Sequence, residues 1–86
     1  MSATGTVRVT VFSREDCVQC QATYRALDGR GVEYRVVDVD ELRDGAVDEL
    51  RALGFLQLPV VKVDGMGAWS GFRPDRIGEI PTEAAE

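Results

Sequence analysis

Apolar and polar residues alternate at the start of the chain. Val7, Val9 and Val11 are separated by Arg8 and Thr10, and a period of two residues is typical of a strand that buries one face. Four polar residues, 13–16, follow. The pattern therefore predicts a strand that ends just before the first cysteine.

From Cys17 onward the apolar positions change to the spacing of a helix. A stripe three or four residues apart is formed by Val18, Ala22 and Ala26. Gly29 and Gly31 follow, and glycine is common just beyond the end of a helix. We therefore predict a helix that begins at Cys17 and ends near residue 29.

A second strand is predicted over residues 34–39. Its adjacent valines, Val36 and Val37, indicate burial on both faces, as in a parallel pair of strands. Acidic residues follow at positions 38, 40 and 41, and we interpret them as the solvated start of the next helix. A parallel partner for the first strand is thus expected here.

A second helix and a third strand come next. Residues 45–53 have helical spacing, with Asp44 placed to cap the first turn and Gly54 placed to end the helix. Residues 58–63 form an apolar run that opens with Pro59, where a strand tolerates proline. The pattern thus continues as helix and then strand.

The last third of the chain has a hairpin signal and a short helix. Asp64 and Gly65 predict a tight turn, and residues 66–69 predict the returning strand. Pro74 suits the first turn of a third helix. Two residues of this helix are expected to point inward, Ile77 and Ile80.

The element order is therefore β-α-β-α-β-β-α, which predicts an α/β fold with one four-stranded mixed sheet flanked by three helices. The β-α-β crossover makes a parallel pair, and the last two strands make an antiparallel hairpin. We expect a single domain over residues 1–80 and a flexible tail over residues 81–86.

The charge of the 86 residues narrows the functions that are possible. The formal net charge of −5 argues against nucleic-acid binding, because phosphates require a basic surface. No apolar run approaches the roughly 18 residues of a membrane span, and residues 1–5 lack the basic and apolar segments of a signal peptide. We expect a cytoplasmic protein that binds neither nucleic acid nor membrane.

The two cysteines, Cys17 and Cys20, are the residues with reactive chemistry. Histidine is absent, which excludes histidine-based triads and ligands. Cys17 lies at the predicted helix start, where free N–H groups and the helix dipole favour a thiolate, the attacking species in disulfide exchange. Cys20 lies one turn further on and is placed to resolve a mixed disulfide. The spacing predicts a redox-active dithiol.

Other interpretations of the cysteines remain open. They can pack in the core as small apolar residues, and a structural disulfide across so short a loop constrains little of the unfolded chain. A zinc site needs about four ligands, so metal binding requires two subunits that share thiolates. We favour redox chemistry and predict no metal site and no cofactor.

Several motifs together resemble those of the NrdH-type redoxins, glutaredoxin-like members of the thioredoxin superfamily. They are Cys17-Val18-Gln19-Cys20, Ala22-Thr23-Tyr24, Ala52-Leu53-Gly54, Pro59-Val60-Val61 and the run from Trp69 to Ile77. The resemblance implies a sheet with strand order 2-1-3-4 and a cis peptide bond before Pro59, which would face Cys17. We expect a monomer.

The resemblance also implies a function and its residues. It implies a dithiol–disulfide oxidoreductase that donates electrons to a class Ib ribonucleotide reductase and is recharged by NADPH through thioredoxin reductase. Cys17, Cys20 and Pro59 would be catalytic. The partner-binding residues would be Arg14, Val18, Gln19, Leu58, Trp69, Ser70, Gly71 and Phe72. A core position for Trp69 is the alternative interpretation of that residue.

The chain departs from the family pattern beside the first cysteine. Many relatives carry lysine and proline there, whereas this chain has Arg14, Glu15 and Asp16. The carboxylates of Glu15 and Asp16 oppose thiolate formation. The glycine and aspartate pairs that bind glutathione in glutaredoxins are also missing. A glutathione-dependent glutaredoxin is the nearest alternative function, and an iron–sulfur or zinc carrier is the alternative from another class.

Overall fold

A computed structural model describes residues 8–42, 45–55 and 57–81. The element order matches the predicted one, with a short 3-10 helix added after the second strand. The elements are β1 (Val9–Ser13), α1 (Val18–Gly29), β2 (Arg35–Asp38), the 3-10 helix (Val39–Glu41), α2 (Ala46–Ala52), β3 (Val60–Val63), β4 (Gly67–Ser70) and α3 (Pro74–Ile77).

The four strands form one mixed sheet in the order β2-β1-β3-β4. β1 and β2 run parallel, with Val11 opposite Val36, and β1 and β3 run antiparallel, with Val11 opposite Val61. β4 returns antiparallel to β3. The predicted α/β class, strand order and mixed pairing are therefore confirmed.

The main core lies between one face of the sheet and the helices α1 and α3. Alternate residues of the strands are buried there, and Leu27 and Ile77 cover them from the two helices. The remaining core residues are Val9, Val11, Val32, Val61, Val63, Trp69 and Ile80. The alternation in the sequence thus corresponds to one buried sheet face, and the predicted inward positions of Ile77 and Ile80 are confirmed.

The prediction of burial on both faces was wrong for β2. Val36 is 49% exposed, and Val37 is only partly buried. The reason is the position of β2 at the edge of the sheet, where β1 is its neighbour on one side and no described strand lies on the other. Two adjacent valines favour a strand but do not report how many neighbours that strand has.

The helix ends differ from the predictions by a residue or two. Helix α1 ends at Gly29, and Gly31 adopts a left-handed conformation just beyond it. Helix α2 begins after Gly45, and Gly54 follows its end, whereas the predicted cap Asp44 lies outside the described residues. Pro74 occupies the first turn of α3 as expected.

Helix α1, at 12 residues, is the longest helix that the structure describes. In the described part of the chain, no helix combines the length and apolar character needed to cross a bilayer. The boundary expected at residue 80 remains a prediction, because most of the proposed tail lies outside the described ranges.

Candidate active site

The two cysteines lie at the junction between β1 and α1. They are joined in a disulfide, with 5.2 Å between their Cα atoms. Cys17 has an extended backbone and forms the N-cap of α1, and Cys20 is in the first turn. The backbone N–H of Cys20 donates to Cys17 Sγ over 3.2 Å. An N–H group directed at this sulfur stabilises negative charge on it.

The two sulfurs differ in accessibility. Cys17 is partly exposed, whereas Cys20 is only 1% exposed. An external disulfide can approach Cys17 but not Cys20. The geometry therefore suits the order of events that the motif predicts, in which Cys17 attacks and Cys20 resolves.

Pro59 follows the residue whose carbonyl approaches the disulfide. The Leu58–Pro59 peptide bond is cis, and Leu58 O lies 3.8 Å from Cys17 Sγ, so this segment faces Cys17 as the resemblance implied. Pro59 is buried, and its carbonyl accepts the N–H of Gly71 at 2.8 Å. Backbone atoms from two parts of the chain, Cys20 N and Leu58 O, thus lie close to one sulfur.

Arg14 does not offer an unpaired positive charge to the site. Its Nε and Nη2 donate to the carboxylate of Asp40 at 3.0–3.2 Å, and the hydrogen bond to Asp40 is the main cause of its raised pKa. The acidic residues after β2 are therefore more than a solvated helix start. One signal was available, because β1 and β2 are parallel and their carboxyl ends lie at the same edge of the sheet.

Trp69 does not lie on the exposed surface beside the dithiol. Its side chain is only 5% exposed and belongs to the core, and the guanidinium of Arg76 stacks over its ring at 5.2 Å. The predicted placement of Trp69 at a partner surface is therefore incorrect, and the alternative of a core tryptophan holds. Its large apolar ring gains more from burial than from solvent contact.

Residues 70–72, which we call the 70–72 segment, begin at the last residue of β4 and contact Gln19, which lies between the two cysteines in sequence. Ser70 is partly exposed, Gly71 is buried and Phe72 is 36% exposed. Val18, the residue next to Cys17 in the chain, is 81% exposed. Two apolar side chains thus reach solvent near the redox pair.

Gln19 connects the dithiol helix to the 70–72 segment. Its Oε1 accepts the N–H of Phe72 at 2.9 Å. A Cβ on Gly71 would lie 3.1 Å from Gln19 Oε1 and 2.7 Å from Gln57 Oε1, so only glycine leaves room for both amides. Sequence reasoning missed Gln57, and its position just before Leu58 was the only available signal.

Arg73, the next residue, is also paired. Its Nε and Nη2 donate to the two carboxylate oxygens of Asp75 at 3.1 and 2.9 Å. This hydrogen bonding is the main cause of a lowered pKa for Asp75. Both arginines that flank the site in sequence are thus engaged by carboxylates.

A cavity of about 400 Å³ opens beside Cys17. Its charged lining residues are Arg14, Glu15, Asp16 and Arg51, and the rest of the lining combines two glutamines with apolar residues such as Leu50. Across residues 8–42, 45–55 and 57–81, no group of three or more cysteine or acidic side chains has the arrangement of a metal site. A zinc or iron–sulfur centre built on the described residues would need further ligands from elsewhere.

The glutaredoxin family model matches residues 9–67 of this chain. The chain is 49% identical over 74 residues to the glutaredoxin-like protein NrdH of Escherichia coli K12, which covers 86% of this chain and 89% of that protein. It is 51% identical over 78 residues to the protein of the same name from Salmonella typhimurium, covering 90% and 94%.

Solved structures agree with the sequence comparison. The E. coli glutaredoxin-like protein NrdH-redoxin, described as having a thioredoxin-like activity profile, superposes with a TM-score of 0.73 at 51% identity, over 83% of this chain and 91% of that one. A glutaredoxin from Archaeoglobus fulgidus shares the fold at 22% identity, with a TM-score of 0.69. The chain therefore belongs to the glutaredoxin family, among its NrdH glutaredoxin-like members, and is a thiol–disulfide oxidoreductase of the thioredoxin fold.

Proposed function

We propose that the reduced protein donates two electrons to a disulfide of another protein. The thiolate of Cys17 attacks one sulfur of the target, forming a mixed disulfide and releasing the other target sulfur as a thiol. Cys20 then attacks Cys17 Sγ and releases the second target thiol, leaving the Cys17–Cys20 disulfide. Two electrons and two protons pass to the target, and the oxidised protein has the bond present in this structure.

We propose that thioredoxin reductase, rather than glutathione, reduces this disulfide again. Glutathione carries two carboxylates, and binding them calls for cations and free N–H groups near the sulfurs. The observation that carries this proposal is that the two arginines flanking the site in sequence are already engaged. Arg14 and Arg73 are paired with Asp40 and Asp75.

The backbone donors of the 70–72 segment are engaged in the same way. The N–H of Gly71 is donated to Pro59 O and that of Phe72 to Gln19 Oε1. A carboxylate arriving here would have to displace both acceptors. The exposed side chains of Val18 and Phe72 offer an apolar surface instead, which favours a protein partner.

One observation favours glutathione as the second candidate. Arg51 lines the cavity beside Cys17 and makes no ion pair with any residue in the described ranges. A single exposed arginine contributes little to carboxylate binding in water. We therefore keep the glutathione-dependent function as the alternative outcome of the test.

The test is the reduction of insulin, followed as consumption of NADPH. One assay contains thioredoxin reductase, and the other contains glutathione with glutathione reductase. We expect efficient turnover in the first assay and poor turnover in the second. Comparable rates in both would make the protein a glutathione-dependent glutaredoxin. The Cys17→Ser variant, which lacks the attacking sulfur, measures the background of each assay.

The electron acceptor that we propose is a class Ib ribonucleotide reductase in the cytoplasm. Support comes from the resemblance of residues 69–75 to the NrdH-type pattern and from the NrdH relatives at 49–51% identity. The assay combines NADPH, thioredoxin reductase, this protein and a class Ib reductase, and measures deoxyribonucleotide formation. Product that forms equally well without this protein would defeat the assignment.

A further inference from the structure

Gln19 is exposed and lies between the two cysteines, yet disulfide exchange does not need its amide. Its main-chain carbonyl accepts the hydroxyl of Thr23 within α1. Its side chain reaches across the site to Phe72, 53 residues away in sequence. The amide is thus held at a defined place beside the disulfide.

The hydrogen bond to Phe72 determines which end of the amide faces solvent. A backbone N–H is a donor only, so the oxygen of Gln19 must face Phe72. Nε2, which has two N–H donors, then faces the other way. Within the described ranges, no residue accepts a hydrogen bond from this nitrogen.

Gly71 makes this arrangement possible. Its φ is +79°, and a Cβ there would lie within 3.1 Å of Gln19 Oε1. The buried glycine therefore lets the amide approach the backbone of the 70–72 segment closely. The orientation of the Gln19 side chain therefore depends both on α1, which carries it, and on the 70–72 segment, which binds its oxygen.

We propose that Gln19 is a substrate-binding residue whose Nε2 donates a hydrogen bond to a main-chain carbonyl of the protein segment that bears the target disulfide. The inference rests on the proposed function, donation to a protein disulfide. An extended segment offers one carbonyl per residue, and a neutral amide donor matches a neutral acceptor. Val18 and Phe72, both exposed, supply apolar contact beside it.

The Gln19→Glu variant separates the two functions of the amide. A carboxylate still accepts the N–H of Phe72, but it has no donor for a substrate carbonyl. Pre-reduced protein is mixed with rising concentrations of insulin in a single turnover, quenched with acid and assayed for the Cys17–Cys20 disulfide. We expect the half-saturating insulin concentration to rise roughly 3- to 10-fold, as for one lost hydrogen bond, with the maximal rate within about twofold of wild type.

The small substrate 2-hydroxyethyl disulfide has no main-chain carbonyl and serves as the internal comparison. The second-order rate constant for its reduction by the Gln19→Glu variant should equal that for its reduction by the Gln21→Glu control. Gln21 is exposed on the same helix, and its replacement introduces the same charge without a contact to Phe72. Gln19→Leu, a second variant without a donor, should raise the half-saturating concentration as Gln19→Glu does.

Three outcomes would overturn the inference. An equal effect of Gln19→Glu and Gln21→Glu on insulin would mean that charge alone acts. An equal effect of Gln19→Glu on both substrates would mean that it acts through the reactivity of Cys17. A half-saturating insulin concentration that is unchanged in both Gln19→Glu and Gln19→Leu would defeat this inference and leave the proposed function intact. Wild-type protein that reduces 2-hydroxyethyl disulfide but not insulin would instead defeat the proposed function.

Discussion

At the scale of single residues, the two cysteines have different surroundings although only two residues separate them. Cys17 is partly exposed and receives the N–H of Cys20, whereas the side chain of Cys20 is buried. This asymmetry follows from the geometry of a helix start, where the cap residue lies outside and the first turn packs inward. From this asymmetry we propose that Cys17 is the nucleophile and Cys20 the resolving thiol.

The Cys20→Ser variant tests that assignment. Without the resolving thiol, the mixed disulfide between Cys17 and the target should accumulate instead of being released. Mass spectrometry of the complex trapped with insulin should locate the bond at Cys17. A trapped complex formed to the same extent through Cys20 in the Cys17→Ser variant would reverse the two functions.

Tyr34 offers a test at pH values far from the redox chemistry. Burial raises the pKa of its phenol, and the hydrogen bond it donates to the carboxylate of Asp28 at 3.1 Å raises it further. Because the folded pKa lies above the unfolded value, the stabilisation is fully present below about pH 10 and is lost as pH rises through the folded pKa. The free energy of unfolding should fall over that interval.

The measurement is the tyrosinate absorbance in a Tyr24→Phe background, which leaves Tyr34 as the only tyrosine. The folded protein should titrate at higher pH than the urea-unfolded protein. Asp28→Asn should bring the folded curve closer to the unfolded one, because the neutral amide no longer disfavours tyrosinate. Identical curves for folded and unfolded protein would contradict the assignment.

At this scale, the sequence predicted the chemistry but not all of the pairing. The spacing of Cys17 and Cys20 was sufficient to predict a redox pair. The partner of Arg14 is Asp40, 26 residues away, and that contact depends on how β1 and β2 align. The sequence around Trp69 is compatible with either a buried or an exposed side chain, so its burial is known only from the fold.

At the scale of elements, local patterns located the strands and helices within a few residues. Period-two alternation found β1, and Asp64 with Gly65 found the hairpin that joins β3 to β4. The burial of β2 could not be predicted in the same way. Whether a strand lies at the centre or the edge of a sheet depends on the whole topology.

The turns before and after β4 permit a matched pair of glycine variants. Gly71 and Gly65 both have positive φ, at +79° and +87°, so alanine at either position should cost roughly 1–2 kcal/mol of stability. Only at Gly71 would the new Cβ also press on Gln19 and Gln57. The additional loss of stability in Gly71→Ala, relative to Gly65→Ala, measures the cost of that contact.

Urea denaturation should therefore show a larger decrease in the free energy of unfolding for Gly71→Ala than for Gly65→Ala. Insulin reduction should fall in Gly71→Ala and remain near wild type in Gly65→Ala, since the hairpin turn is not part of the site. Equal losses of stability and of activity in the two variants would mean that the glutamines adjust without cost.

At the scale of the whole molecule, the C-terminal residues of the described fold are tied to the first helix. Ile80 is 1% exposed, and Nη1 of Arg30 donates to the carbonyls of Ile77 and Ile80 at 2.6 and 3.0 Å. Arg30 follows α1 directly, so this contact joins the end of that helix to the region after α3. The domain boundary at residue 80 stays a prediction, and this packing is the reason to test it.

Two variants test the boundary. Removal of residues 82–86 should leave the midpoint of thermal unfolding unchanged, because Ile80 is the last buried side chain within the described residues. Ile80→Ala should cost about 2–5 kcal/mol, the usual range for emptying a buried isoleucine site. A truncated chain as unstable as Ile80→Ala would place the boundary further along the chain.

The burial of Cys20 affects how the protein withstands oxidation by peroxide. In the reduced protein, hydrogen peroxide should react first with Cys17, the more accessible of the two cysteines, giving a sulfenic acid. The sulfur of Cys20, adjacent and shielded from peroxide, can condense with that group and expel water before further oxygen is added. The product is the same disulfide that ordinary turnover makes. We therefore expect the wild-type protein to escape irreversible sulfinic damage, and the Cys20→Ser variant to accumulate it at equal peroxide.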